Sequence, residues 1–295
     1  MVSEFLKKTA EGFGLGLRLP HYSEALKGTL RADWLEVITE NYLGLKDGRL
    51  ESPALNRLLK IRENYSIALH GVAMGIGGLE PFDKNYLKRL KELANIIETP
   101  WISDHLCWTT AHGRVFHDLI PLPYNEETLN YLVSRIKEVQ DFLGRRILVE
   151  NVSAYVDFES STMFEWDFIS ELATRADCYL LCDLNNIFVS SYNQNFNPQT
   201  FIEALPKERI KEFHLAGPDQ NGEFLIDTHD HPVRDEVWNL YRKILPTCQN
   251  VPTLLEWDAK IPSAEELSSE LDKARQIYKQ TLSASLKETS NEARI

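Results

Sequence analysis

The stretch Phe224 to Val233, FLIDTHDHPV, packs Asp227, His229, Asp230 and His231 into five residues ahead of Pro232. Imidazoles and carboxylates at that density either move protons or hold a cation. In an extended segment Asp227 and His229 stand two apart and share a face, which His231 continues. Which of the two chemistries applies depends on where the chain brings its other histidines and acids.

Those groups recur at the ends of short apolar runs. The runs are GLGLRL (14–19), WLEVIT (34–39), YSIALHG (65–71), WISDHL (101–106), RILVENV (146–152), CYLLCDL (178–184), IKEFHLAG (210–217) and TLLEWD (253–258). Glu40 and Asn41 close the second and His70 the third; Asp104 and His105 lie in the fourth, Glu150 and Asn151 in the fifth. Asp183 ends the sixth, just ahead of Asn185 and Asn186; His214 is in the seventh, and Glu256 and Asp258 are in the eighth.

Between the runs lie helical patterns such as DKNYLKRLKELANIIE and NEETLNYLVSRIKEVQDFLG. Several runs are almost wholly apolar, as strands covered on both faces are. Repeated strand–helix alternation predicts a TIM (β/α)8 barrel over residues 1–285, with 286–295 as a polar C-terminal tail. A doubly wound sheet is the alternative, but neither GLGLRL nor MGIGGLE opens a helix as GxGxxG. In such a barrel the strand C-termini share one mouth, so these residues converge.

Converging carboxylates repel, and burying one unpaired is costly. Apart from Arg18 no Lys or Arg stands at these ends, so metal cations are the natural compensation. Nitrogen and oxygen donors without thiolate suit iron, manganese or zinc. The donors exceed what one ion accepts, so two or three ions bridged by carboxylates are expected. His112 and His117, in AHGRVFHDL, read as loop residues or as supports behind the ligands. Cys107 and Cys182 read as small apolar packing groups.

A formal net charge of −12 and the lack of a basic run argue against nucleic acid. Four cysteines without a CxxC exclude a disulfide framework and a thiolate metal site. No segment reads as a signal peptide or membrane span, so a reduced, cytoplasmic setting is expected.

GLRLPHYSEAL, EVITENYLG, ALHGVAMGIGG, SDHLCWT, LVENVSAYV, CDLNNIFVSS, EFHLAG and IDTHDHPV together resemble the multinuclear non-haem iron-dependent oxidative enzymes. That family includes the iron enzyme of methanobactin biosynthesis. The resemblance runs from about Gly14 to Asp258. It implies a xylose-isomerase-like barrel, two or three irons, use of dioxygen and no organic cofactor. It also implies a cysteine-containing, ribosomally made precursor peptide as substrate, and often a partner protein that presents it.

A more distant similarity to endonuclease IV, a trinuclear zinc barrel, implies the ligand set His70, His105, Glu150, Asp183, Asn186, His214, Asp227, His229 and Glu256. Asn186 departs from that pattern, which has His there and thereby puts zinc in doubt. Candidate catalytic residues are His231 and Glu40; candidate substrate-binding residues are His21 and Asn41. The leading expectation is a peptide-cysteine oxidase. A metal-dependent hydrolase or phosphodiesterase is the alternative, ahead of a sugar isomerase and a binding module.

Overall fold

The computed structural model describes residues 10–44, 50–111 and 114–292, with side chains described except at 110–117 and 285–292. Its strands are β1 (Phe13–Gly16), β2 (Trp34–Ile38), β3 (Ser66–Gly71), β4 (Ile102–His105), β5 (Trp108–Ala111), β6 (Arg114–Ile120), β7 (Leu148–Glu150), β8 (Tyr179–Asp183), β9 (Ile210–Leu215), β10 (Asp219–Asn221), β11 (Phe224–Ile226) and β12 (Thr253–Leu255). The helices are α1 (Tyr22–Lys27), α2 (Pro53–Arg62), α3 (Lys84–Ile97), α4 (Glu126–Leu143), α5 (Glu165–Ala176), α6 (Leu184–Gln194), α7 (Pro198–Ala204), α8 (Asp235–Ile244) and α9 (Ala264–Glu292).

Eight strands close a parallel barrel in the order β1-β12-β9-β8-β7-β4-β3-β2. Each falls within one of the eight apolar runs, except that β1 begins one residue earlier, at Phe13. The expected TIM barrel is therefore present, with helices outside it. All six residues of β3 are buried, because helices cover the outer face while the barrel fills the inner one.

Local chemistry sets the boundaries. The Ser52 hydroxyl accepts from the Leu55 N–H to open α2, and the Asn125 side chain accepts from Thr128 to open α4. Gly144 ends α4 at φ 75°, where a side chain would be strained. The last helix runs into the stretch expected as a tail, since no Gly or Pro follows Ala264 to stop it.

Two hairpins, β5–β6 and β10–β11, leave the barrel after β4 and β9. The first stands where AHGRVFHDL reads as a loop. His117 falls on β6, and His112 lies outside the described residues. The second hairpin delivers the FLIDTHDHPV segment to the mouth. That segment returns across Gly217, where an added Cβ would meet the His231 carbonyl oxygen at 2.1 Å, so only glycine admits it. All four cysteines are free and buried. No helix among the described residues is long and apolar enough to cross a membrane.

Candidate metal centre

Parallel register fixes which residues meet at the mouth. His105 on β4 stands beside Glu150 on β7, and Asp183 on β8 beside His214 on β9. Four groups of side chains there place ligand-type atoms within 4.8 Å of one another: His70–His105–Glu150, Glu150–Asp183–His214, Asp183–His229–Glu256 and Glu36–Glu212–His214. The first three form a chain, with Glu150 shared by the first and second and Asp183 by the second and third. Shared carboxylates are what bridged ions require.

The hydrogen bonds behind the first group decide what its atoms can hold. His105 Nδ1 faces the Gly71 carbonyl oxygen at 3.1 Å and must donate to it. His70 Nδ1 lies 2.8 Å from Ser103 Oγ, whose own proton is directed to the Leu69 carbonyl. Burial keeps both rings neutral: it drives His70 well below the usual histidine range and His105 down to about 4. Each ring's single proton is thus committed at Nδ1. The Nε2 lone pairs point at Glu150 Oε2 from 3.3 and 3.2 Å.

Two lone pairs aimed at a carboxylate oxygen repel unless a cation, or a proton on the carboxyl, lies among them. Glu150 Oε2, Asp183 Oδ2, His214 Nδ1 and His229 Nε2 are all buried without an aligned hydrogen bond. These are the atoms expected to be orphaned at a metal centre, since native proteins rarely bury unpaired polar atoms. The nitrogen–oxygen donor set fits a hard or borderline divalent metal.

The remaining ligand candidates are oriented the same way. Asp183 caps α6 through Oδ1, which accepts from the Asn186 N–H at 2.7 Å, leaving Oδ2 for the cluster. Burial raises the Asp183 carboxyl to about 7. His214 Nδ1 lies 3.1 Å from Glu256 Oε2, 3.8 Å from Glu150 Oε1 and 4.0 Å from Asp183 Oδ2. His229 Nδ1 is 3.3 Å from Glu256 Oε2, and its Nε2 is 2.6 Å from Asp227 Oδ1. Arg18 neutralises the outer edge by bonding Glu256 Oε1 and Asp258.

Asn186 lines the same cavity, but its amide is held by Ser153 and by the Asn151 carbonyl. Asn185 donates to Asp227. The cavity over the centre is about 450 Å³.

The other candidates are placed apart. Glu40 accepts from the N–H groups of Val72 and Ala73 and from the Tyr86 hydroxyl, so it pins the loop after β3. His21 is buried on the Pro262 carbonyl. Asn41 is exposed. His231 is half-buried, paired with Asp230 and 3.8 Å from Asp219. Lys260 completes that outer group by bonding Asp230 at 2.6 Å. The opening stretch is not extended throughout: His229 has φ 48°, which turns the chain between Asp227 and His231. Asp227 and His229 still meet, while His231 is carried to the rim.

Two residues escaped the sequence reading. Glu36 on β2 and Glu212 on β9 are buried inside the barrel one layer below the mouth. Glu36 Oε1 lies 3.1 Å from His214 Nε2, and Glu212 Oε1 lies 3.5 Å from it. Burial, then the Glu36 charge, push the Glu212 carboxyl well up, so burial favours the protonated form of Glu212. Glu36 is placed to accept from His214 Nε2, which frees Nδ1 for an ion. Glu36→Gln is expected to weaken metal binding by about 10- to 100-fold. A competitive chelator titration on the folded variant checks this; unchanged affinity would remove Glu36 from the ligand support.

Residues 12–279 match the family model described as RiPP precursor modification enzyme MbnB/TglH/ChrH. The chain belongs to that family. Its relatives include a UPF0276 protein of Acaryochloris marina, 46% identical over 90% of this chain and 94% of the relative. Another, from an Anaeromyxobacter species, is 44% identical over 92% and 95%. Among solved structures, endonuclease IV from Thermus thermophilus superposes with TM-score 0.57 at 14% identity, covering 92% of this chain and 99% of that one. D-psicose 3-epimerase from Clostridium cellulolyticum does so with TM-score 0.62 at 10%, covering 90% and 99%. These two likenesses bear on the fold, a xylose-isomerase-like barrel, while the family is one of RiPP precursor modification enzymes.

Proposed function

We propose that this chain is a multinuclear iron-dependent oxidase that uses dioxygen to modify cysteine residues of a ribosomally made peptide, presented by a partner protein. The observation that carries the metal is the set of orphaned atoms on three groups linked through Glu150 and Asp183. The peptide substrate follows from the family. Iron bound there would supply the redox chemistry with dioxygen and a Lewis acid.

The chain's own residues do the rest. Ser103 and the Gly71 carbonyl set the tautomers of His70 and His105, and α6 sets the rotamer of Asp183. Barrel walls keep these groups in a low-dielectric site, where fixed charges act strongly. The substrate thiol must come from another molecule: Cys107, Cys178, Cys182 and Cys248 are buried, and burial raises each thiol above its usual range.

Protein purified without oxygen from iron-replete cells is expected to hold at least two irons per chain. Elemental analysis measures this directly. Stoichiometric zinc with phosphodiesterase activity, unchanged by reconstitution with iron, would replace this reading with the hydrolase.

A further inference from the structure

The cavity over the metal centre does not end at the barrel mouth. It shares Asp118, Leu119 and Asp227 with a second cavity of about 530 Å³. That one shares Val156 with a third, of about 820 Å³, beside the start of α5. The three form one groove across the segments that follow β6 and β7. None of the three is lined by a Lys or Arg among the described residues. Along the groove Tyr155 and Val156 are exposed, at 45% and 52%, and the Tyr155 hydroxyl accepts from the Asp227 N–H at 2.8 Å. The groove wall thus touches the loop that carries metal-centre residues.

The far cleft has its own chemistry. Phe164 is 65% exposed and stacks on Trp166 with centroids 4.6 Å apart and planes 11° off parallel. Trp166 is half-buried against the core, so the outer face of Phe164 is the aromatic plane open to a ligand. Between the two rings in sequence lies Glu165, buried at the floor, and Asp157 and Asp167 stand exposed at the rim. An aromatic plane with carboxylates around it is complementary to a guanidinium, which stacks on rings and pairs with acids. Burial raises Glu165 to about 8, so a cation arriving there would draw the carboxyl into its charged form.

We infer that this groove holds an extended segment of the peptide substrate, with the modified cysteine at the metal centre and an arginine of the same peptide in the Phe164–Trp166 cleft. The inference rests on the peptide reading above and adds where the peptide lies and which side chain anchors it. The acidic lining suits a basic partner, and continuity with the mouth sets the path.

The test uses metal-loaded protein without oxygen and fluorescein-labelled peptides of about twelve residues, which span about 40 Å when extended. Each carries one cysteine and one arginine, with the arginine on either side of the cysteine. Citrulline versions keep the shape and lose the charge. At least one arginine peptide is expected to bind about tenfold more tightly than its citrulline counterpart. Phe164→Ala and Asp167→Asn, both at exposed positions, are expected to erase that preference and leave metal content unchanged. Equal binding of arginine and citrulline peptides in both orders, no measurable binding of either, or a preference that survives both variants would overturn the groove assignment. Admitting air separates the two readings. With the presenting partner protein included, arginine-dependent binding without change at the cysteine would retain the groove and sink the oxidase.

Discussion

Glu150→Gln is expected to lose at least one metal ion per chain and to abolish turnover. Glu150 is the hub of the centre: Oε2 faces His70 and His105, and Oε1 lies 3.8 Å from His214. The amide keeps the shape but removes the anion that two groups share. A fall in turnover on the order of 10³ or more follows, since losing even one charge-stabilising donor at a reacting centre costs about 10²–10³.

Misfolding is a separate outcome that can be measured. Without metal, burial raises the Glu150 carboxyl well above its usual range, so the metal-free protein carries it protonated. A buried acid with a raised pKa binds its proton in the folded state and loses it in the unfolded state at neutral pH, which lowers stability. Glutamine mimics the protonated acid and has no such cost. The metal-free variant should therefore melt at or above metal-free wild type, while metal content and turnover collapse. Full metal occupancy in the variant, measured by elemental analysis, would take Glu150 out of the centre.

The barrel was legible because its signal is local. An apolar run bounded by a helical pattern reads as a covered strand whether or not its neighbours are known, and all eight barrel strands overlap such runs. His70, His105, Glu150, Asp183, His214, His229 and Glu256 were legible for a related reason. Strand C-termini share one mouth, so position along each run was enough to bring all of these but His229 together, and His229 lies in the segment after β11.

Glu36 and Glu212 were not found because they stand mid-run, where depth and inward parity depend on strand pairing. The signal was present: a lone carboxylate inside WLEVI and another inside IKEFHL is expensive to bury without a partner. Glu40 looked like its strand-end peers, yet the loop after β3 claims it. The two-residue spacing in THDH misled for His231, because the positive φ of His229 breaks the alternation that spacing assumes.

Stripping the metal should lower the melting temperature steeply, and more so at higher pH. A ligand that binds only the folded state stabilises it by about 4 kcal/mol when present at 1,000 times its Kd. Two such ions correspond to about 8 kcal/mol, and each kcal/mol moves a domain of 150–250 residues by about 2–4 °C. A drop well beyond ten degrees is therefore expected on chelation.

The pH dependence separates a metal centre from an ordinary buried network. Below about 6.5 the metal-free protein has opposing contributions, because the lowered His70 and His105 favour higher pH while the raised Asp183 and Glu150 favour lower pH. Above about 6.5 the histidine pair no longer contributes. Asp183 continues to lose stability up to about 7, and Glu150 beyond it. Against their burial, His214 is held well above the usual range by Glu36 and Glu256, and His229 by Asp227. Raised histidines stabilise below their unfolded pKa and lose that contribution as pH climbs.

Every remaining contribution named here then falls with rising pH. Metal-free protein should melt progressively lower from about pH 6.5 to 8.5. The loaded form should hold its melting temperature over that range, because bound cations keep the carboxylates ionised and the imidazoles neutral. Scanning calorimetry on both forms across the series is the measurement. Equal melting temperatures with and without metal, at every pH, would mean that the linked carboxylates are held by protons alone and that no ion belongs there.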